Sequence, residues 1–102
     1  MRNLSKARQK EIITKMVGRN TKRYNILKAM EEMTELSLIL NQLQTKPKKV
    51  KQQAIIDEIG DASIRLMVLK QMFPNKLIEK RISMKLTNYL DGLTNSSRKR
   101  QI

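Results

Sequence analysis

The stretch Thr21–Gln44, TKRYNILKAMEEMTELSLILNQLQ, decides the fold class of this chain. It contains no Gly or Pro, and good helix formers dominate it. Its apolar residues recur at intervals of three and four, which is typical of an amphipathic α-helix. They are Ile26, Met30, Met33, Leu36, Leu40 and Leu43. We therefore predict one long helix over residues 21–44.

The sequence before this stretch predicts a short helix. Residues 1–23 are basic and carry one weak apolar stripe. Ser5 is a suitable N-cap, because its hydroxyl can accept a hydrogen bond from a free amide of the first turn. Gly18-Arg19-Asn20 is typical of a helix end.

The sequence after it predicts two more helices. Thr45-Lys46-Pro47-Lys48-Lys49 interrupts the apolar pattern and predicts a connection. The next helix should cover residues 50–72, with Ile55, Ile56, Ile59, Leu66, Met67, Leu69 and Phe73 as its apolar set. Pro74 should end it, because proline disfavours helical geometry in the preceding residue. A last helix over residues 76–90 should close at Asp91-Gly92.

These elements predict an all-α fold, a helical bundle of three to four helices that oligomerisation completes. The chain has 102 residues, the size of one domain. We divide it into a basic N-terminal segment (residues 1–20), the helical domain (21–93) and a basic tail (94–102) that we expect to be disordered. The segment 1–20 is expected to form the short helix.

Composition excludes several kinds of chemistry. The chain has no Cys and no His, so it has no disulfide, no thiolate nucleophile, no imidazole base and no Cys/His zinc site. No apolar run approaches the ~20 residues that span a bilayer, so we expect no membrane partner. The N-terminus lacks the apolar region of a signal peptide. We expect a cytoplasmic location, or the host cytoplasm if a phage encodes the chain.

The charge predicts a polyanionic partner. Twenty-two Lys and Arg residues give a net charge of +13. Residues 1–28 hold nine of these cations and one acid, Glu11. Clustered cations bind nucleic-acid phosphates without regard to sequence, but a nucleoside triphosphate is also a polyanion. Charge alone therefore leaves both partners open.

Two acidic clusters stand out against this basic background. Glu31-Glu32-Met33-Thr34-Glu35 and Asp57-Glu58-Ile59-Gly60-Asp61 together hold six of the nine acidic residues. On helices, Glu32 and Glu35 share one face, and Glu58 and Asp61 share another, because residues three apart are neighbours.

The ordinary explanation for acids on a helix is a solvated face with a cation one turn later. Here only Asp61 is followed by a cation at i+4, Arg65. The helical positions also place Glu35 and Glu58 on faces that turn apolar one turn away, so we expect these faces to enter the bundle. The small residues Ala54, Gly60 and Ala62 should let the other acidic helix, or a ligand, approach closely.

Bringing the two acidic pairs together creates a like-charge site that is unfavourable unless a cation occupies it. With oxygen ligands alone, the expected cofactor is Mg²⁺, with Mn²⁺ as the alternative.

The arrangement Glu31-Glu32-x-x-Glu35, then 22 residues, then Glu58-x-x-Asp61 resembles the MazG-like nucleotide pyrophosphohydrolases of the all-α NTP pyrophosphatase superfamily. Ala29-Met30-Glu31-Glu32-Met33-Thr34-Glu35-Leu36 and Ile56-Asp57-Glu58-Ile59-Gly60-Asp61-Ala62 look like the two signature helices of that family. The resemblance covers residues 22–90, so the segment 21–93 would be a MazG-like catalytic domain.

The resemblance implies Mg²⁺-dependent hydrolysis of an NTP or dNTP to the monophosphate and pyrophosphate. It implies a homodimer or homotetramer in which neighbouring subunits complete each site. The site residues fall into four groups: metal ligands Glu32, Glu35, Glu58 and Asp61; catalytic acids Glu31 and Glu35; phosphate-binding Lys80, Arg81 and Lys85; and base-binding Tyr24. For the three cations the alternative is a solvated basic face, and for Tyr24 it is a packed aromatic at a helix start.

Two other functions remain open at this stage. The chain is alternatively a basic helical nucleic-acid-binding protein that uses its N-terminal segment, or a catalytically inactive MazG-like interaction module. Within the enzyme hypothesis, the base and sugar of the substrate, the choice of dimer or tetramer, and one metal or two are all open.

Overall fold

The computed structural model describes the backbone of residues 2–96 and the side chains of residues 2–93. Within this range the chain forms four α-helices and no strand, which confirms the all-α prediction. The helices are α1 (Lys6–Arg19), α2 (Lys22–Thr45), α3 (Gln52–Met72) and α4 (Asn75–Ser96), with a 3-10 turn at Pro47–Lys49 between α2 and α3. None of these helices is long and apolar enough to cross a membrane.

Side-chain caps fix where the first two helices begin. The Ser5 hydroxyl accepts a hydrogen bond from the Arg8 amide at 3.1 Å, as predicted. The Thr21 hydroxyl does the same for the Tyr24 amide at 3.0 Å, so α2 starts one residue later than predicted. Between them α1 ends at Arg19 with Asn20 as its C-cap, which confirms the predicted helix end.

The last helix is longer than the sequence predicts. It continues through Gly92 to Ser96 instead of stopping near Leu90. Gly92 does not adopt the left-handed backbone that makes glycine a helix stop. Inside a helix it costs only about 1 kcal/mol relative to Ala, which the helix tolerates. The predicted disordered tail was residues 94–102: residues 94–96 are helical instead, and the rest of the tail lies outside the described residues.

The chain divides after Met72 into two units. In the first, α3 packs against both α2 and α1. The short connection between α2 and α3 makes these two helices antiparallel neighbours. A hydrogen bond of 3.1 Å from the Thr14 hydroxyl to the Gln71 side chain links α1 to the end of α3. The second unit contributes α4.

The buried residues are mostly small. Ile13, Ala29, Ala62 and Val68 form the buried apolar core, and Asn25 is buried beside them at 1% exposure. Several predicted core positions are instead exposed: Met30, Leu40, Ile56, Ile59, Leu66, Met67 and Phe73. On α2 the buried stripe runs through Asn25 and Ala29. The helix is therefore rotated about its own axis relative to the prediction, so that the side of Glu32 lies nearer the buried stripe than the predicted apolar side does.

Candidate metal centre

Two overlapping groups of carboxylates converge where α2 meets α3. One oxygen each from Glu32, Glu58 and Asp61 lies within 4.8 Å of the others. The same limit holds for Glu31, Glu32 and Glu35. Glu32 belongs to both groups, so all four predicted metal ligands and the additional acid Glu31 lie in one cluster, which we call the carboxylate cluster.

The geometry follows from the helix hairpin. Glu32 and Glu35 lie one turn apart on α2, and Glu58 and Asp61 lie one turn apart on α3. Because the helices are antiparallel and packed together, the two pairs meet across the contact between them, which we call the seam. Glu32 and Glu58 are half-buried, whereas Glu35 and Asp61 are exposed. The cluster therefore lies at the edge of the seam and is open to solvent. The prediction that Glu35 and Glu58 lie on faces that enter the bundle is confirmed in part for Glu58 and wrong for Glu35.

Burial is the main cause of an upward pKa shift at Glu32. The negative charges of Glu35, Asp61 and Glu31 raise this pKa further, and the positive charge of Lys28 opposes them. The carboxylate of Glu32 is therefore harder to ionise than an exposed glutamate.

The pKa of Glu58 is raised for the same reasons. Burial comes first, followed by the charges of Glu35, Asp61 and Glu32 and by a hydrogen bond with the Glu35 carboxyl group. A bound cation would remove this repulsion between Glu35 and Glu58.

The acids at the margin of the cluster are held by neighbouring side chains. Lys28 Nζ donates a hydrogen bond of 2.7 Å to Glu31. Gln53 Nε2 donates one of 2.8 Å to Asp57. Asp57 therefore has a protein partner, which separates it from the predicted ligands.

A groove opens beside the cluster. It has a volume of about 350 Å³. Its lining comprises Glu35, Leu38, Ile39, Gln42, Ala54, Asp57 and Glu58. One end is acidic and the rest is largely apolar, so a bound molecule would contact the carboxylates at one end only.

The prediction that Gly60 lets the other acidic helix approach closely is wrong among the described residues, and approach of a ligand there stays a prediction. Gly60 is exposed, and a Cβ placed on it would have no heavy atom within 4 Å. Ala62, by contrast, is buried at 4% exposure, and Ala54 is half-buried. The alanines therefore face the packed side of α3, and Gly60 faces away from it.

The remaining predicted site residues lie outside the carboxylate cluster. Tyr24 is 44% exposed, so it is not the packed aromatic of the alternative interpretation. It lies one turn before Lys28 on α2. Lys80, Arg81 and Lys85 are exposed on α4, in the second unit. Their assignment to substrate phosphates stays a prediction.

Two polar residues at the seam have unsatisfied atoms that the sequence pattern did not single out. Asn25 is buried with no hydrogen-bond partner for Oδ1 among the described residues, and Arg65 has the same deficiency at Nη1. The sequence did contain a signal for each residue. Asn25 lies one turn before Ala29 on the same side of α2, and Arg65 lies one turn after Asp61 on α3. Spacing alone suggested an Asp61–Arg65 ion pair, but Nη1 of Arg65 has no hydrogen-bond partner among the described residues.

Fold and site together define an all-α protein with a carboxylate cluster between two antiparallel helices. Comparison with protein-family models, with curated proteins and with solved structures gave no match.

Proposed function

We propose that the protein is a Mg²⁺-dependent nucleoside triphosphate pyrophosphohydrolase that releases a nucleoside monophosphate and pyrophosphate. The observation that carries this proposal is the convergence of Glu32, Glu58 and Asp61 from two helices to within 4.8 Å. Such crowding of like charges, with Glu32 and Glu58 half-buried, is costly without a cation.

The donor set fits Mg²⁺. Every candidate ligand atom is a carboxylate oxygen, which hard divalent cations prefer. Two oxygens on one Mg²⁺ lie at most about 4.2 Å apart, twice the metal–oxygen bond length. The candidate oxygens lie within 4.8 Å of one another, so they would bind one ion together after the side chains adjust around it. Mn²⁺ is the alternative ion for the same oxygen ligands.

When bound, Mg²⁺ would neutralise polyphosphate charge and lower the pKa of a coordinated water. Glu35 is exposed at the edge of the cluster and adjoins Glu58, so it is placed to accept a proton from the attacking water. Glu31 is oriented by Lys28 and would position that water.

The rest of the proposed site and assembly follows the family resemblance. Lys80, Arg81 and Lys85 would bind substrate phosphates, and Tyr24 would stack on the base. We propose a homodimer or homotetramer, because a 102-residue chain that leaves many large apolar side chains exposed favours self-association. The proposed location is the cytoplasm.

The decisive experiment is a panel of canonical and modified NTPs and dNTPs with Mg²⁺, scored for monophosphate and pyrophosphate. We expect at least one substrate to be hydrolysed. Glu35→Gln should lower kcat by at least about a hundredfold, as the loss of a general base does. Glu58→Gln should also lower kcat strongly, because it removes a proposed metal ligand. The far-UV circular dichroism of both variants should stay unchanged.

Glu11→Gln is the matched control, because it removes the same charge from the exposed face of α1. It should retain wild-type turnover. No hydrolysis of any nucleotide in the panel, or full turnover by both cluster variants, would contradict the proposal.

A second candidate function, nucleic-acid binding, is favoured by the exposed cations of α1. Lys6, Arg8, Lys10, Lys15 and Arg19 are all exposed on this helix. This function predicts binding that weakens steeply with salt and is insensitive to Glu58→Gln. A gel-shift titration at two salt concentrations tests it. The third candidate, an inactive module, predicts no change in Tm with Mg²⁺.

A further inference from the structure

Arg65 lies beside the carboxylate cluster on α3. It follows Asp61 by one turn and Glu58 by two, so the three side chains share a helical face. Arg65 is half-buried, and its Nη1 is fully buried without a hydrogen-bond partner among the described residues. Buried N–H groups almost always have an acceptor, because leaving one unpaired is costly. This atom therefore indicates an acceptor that the described residues do not supply.

The carboxylate of Asp61 does not fill this role. Asp61 stands four residues before Arg65, the most favourable spacing for an ion pair on a helix, yet Nη1 makes no bond to it. If the cluster holds a metal, its carboxylates are committed to that ion. The acceptor for Arg65 would then have to come from a bound molecule.

A second cation, Lys28 on α2, lies near Arg65 of α3. Lys28 on α2 is close enough for the positive charge of Arg65 to lower the Lys28 pKa, against the larger upward effect of Glu31. Lys28 lies one turn before Glu31 and Glu32, and Arg65 lies one turn after Asp61. Because the two helices are antiparallel, Lys28 and Arg65 lie at the same level along the hairpin, one helical turn from the carboxylates. We call these two levels the cation layer and the carboxylate layer.

The two layers are about 5.4 Å apart, one helical turn. Neighbouring phosphate groups of a polyphosphate can span this distance. Arginine presents a fork of donors that matches phosphate oxygens, and lysine adds a second donor. Because Nη1 forms no hydrogen bond with the described residues, turning the guanidinium toward a phosphate breaks none of them at that atom.

We propose that Lys28 and Arg65 bind one phosphate group of a polyphosphate whose neighbouring phosphate lies at the carboxylate cluster. This inference rests on the proposed function and deepens it, since it assigns phosphate binding to the seam of α2 and α3 rather than to α4 alone.

The test uses inorganic tripolyphosphate with saturating Mg²⁺, measured by isothermal titration calorimetry on the full chain. Arg65→Gln should weaken binding by at least about tenfold, which corresponds to about 1.4 kcal/mol. Arg65→Lys keeps the charge but loses the fork, so it should fall between wild type and Arg65→Gln. Lys28→Gln should also weaken binding.

Arg23→Gln is the matched control. It removes an arginine charge from an exposed position of α2, so it reports the effect of net charge alone. We expect its Kd to stay within about twofold of wild type, since long-range charge effects are screened by salt. The rise in Tm with Mg²⁺ should be the same in wild type, Arg23→Gln and Arg65→Gln, which shows that the carboxylate cluster remains intact.

Two results would overturn this inference: no binding of tripolyphosphate to the wild type, or equal Kd values for Arg65→Gln and Arg23→Gln. If Arg65→Gln does not fold, the Kd values of Arg65→Lys and Lys28→Gln test the inference instead. Kd values equal to that of the wild type in both variants would overturn the inference. Failure of the proposed function looks different, because no nucleotide would be hydrolysed while the loss of tripolyphosphate binding in Arg65→Gln persists.

Discussion

At Glu58, burial and three neighbouring carboxyl groups all act against ionisation. Replacing it with Gln removes a charge and keeps the shape of the side chain. We expect Glu58→Gln to raise the Tm of the metal-free protein and to abolish the further rise that Mg²⁺ produces. For the wild type, free Mg²⁺ at 100 times its Kd would add about 2.7 kcal/mol of stability by mass action. Thermal unfolding followed by circular dichroism measures both effects.

Glu11→Gln again separates the local effect from the change in net charge. Glu11 lies in an exposed ion pair with Arg8, at 3.3 Å, and such pairs contribute little. Its replacement should leave the Mg²⁺ response intact. An undiminished Mg²⁺ response in Glu58→Gln would remove this residue from the proposed ligands.

The raised pKa values of Glu32 and Glu58 predict how stability changes with pH. Below the ordinary glutamate pKa of 4.5, both groups are protonated in the folded and the unfolded chain, and they carry no penalty. As pH rises through the window up to the folded-state pKa values, the unfolded chain ionises first, so folding loses stability. Above that window the loss is complete and constant.

The measurement is Tm from pH 4 to pH 8 in chelator-treated buffer, for wild type and for Glu32→Gln/Glu58→Gln. Other carboxylates titrate in both proteins, so the difference between the two curves isolates the two glutamates. We expect the stability of the wild type relative to the double variant to fall as pH rises. A relative stability that rises with pH would contradict the raised pKa values.

The local sequence predicts where each helix begins and ends better than it predicts which side of the helix is buried. The caps Ser5 and Thr21 and the break at Pro47 lie where local chemistry requires them, so helix starts were predictable to within two residues. Which side of α2 faces α3 depends on how two surfaces fit. Ala29 and Ala62 permit close packing, and the larger Met30 and Ile59 remain outside it. The spacing of apolar residues in the sequence does not show which side of α2 packs against α3.

A substitution at Gly60 tests whether this side of α3 is free of packing. Gly60 lies in the middle of α3 with open space around its Cβ position. Gly60→Ala should therefore stabilise the protein by about 1 kcal/mol, because alanine loses less backbone entropy in a helix. For a domain of this size that corresponds to a rise in Tm of about 4–8 °C. Thermal unfolding measures it.

Gly18→Ala is the matched control, since that position is equally open but lies next to the end of α1, where helices fray. It should give a smaller gain. A lower Tm for Gly60→Ala would mean that another molecule, such as a second copy of the chain, packs closely on this face.

For the whole molecule, the acids of the candidate site were predictable because spacing on two helices and a short antiparallel connection are enough to bring them together. Spacing did not reveal the environment of each acid. Glu32 is half-buried and Glu35 exposed because the rotation of α2 places the edge of the seam between them. The same rotation places Lys28 near Arg65, which no sequence motif indicated.

Self-association is the property that the exposed apolar surface predicts for the molecule as a whole. On α4, Leu77, Leu86 and Tyr89 are each more than 60% exposed, and on α2 Met30 is 59% exposed. Apolar surface left in water at this density favours burial against another copy of the chain. We expect light scattering coupled to size exclusion to give the mass of a dimer or tetramer.

Leu86→Glu should shift this mass toward the monomer, because a buried unpaired carboxylate is strongly unfavourable in an apolar interface. Thr87→Glu is the matched control, since it places the same charge on the next, polar and exposed position of α4. If α4 forms the interface, only Leu86→Glu should lower the mass. A monomeric wild type would exclude self-association, and equal masses for the two variants would place the interface on another surface, with the exposed Met30 and Ile59 of α2 and α3 as the next positions to substitute.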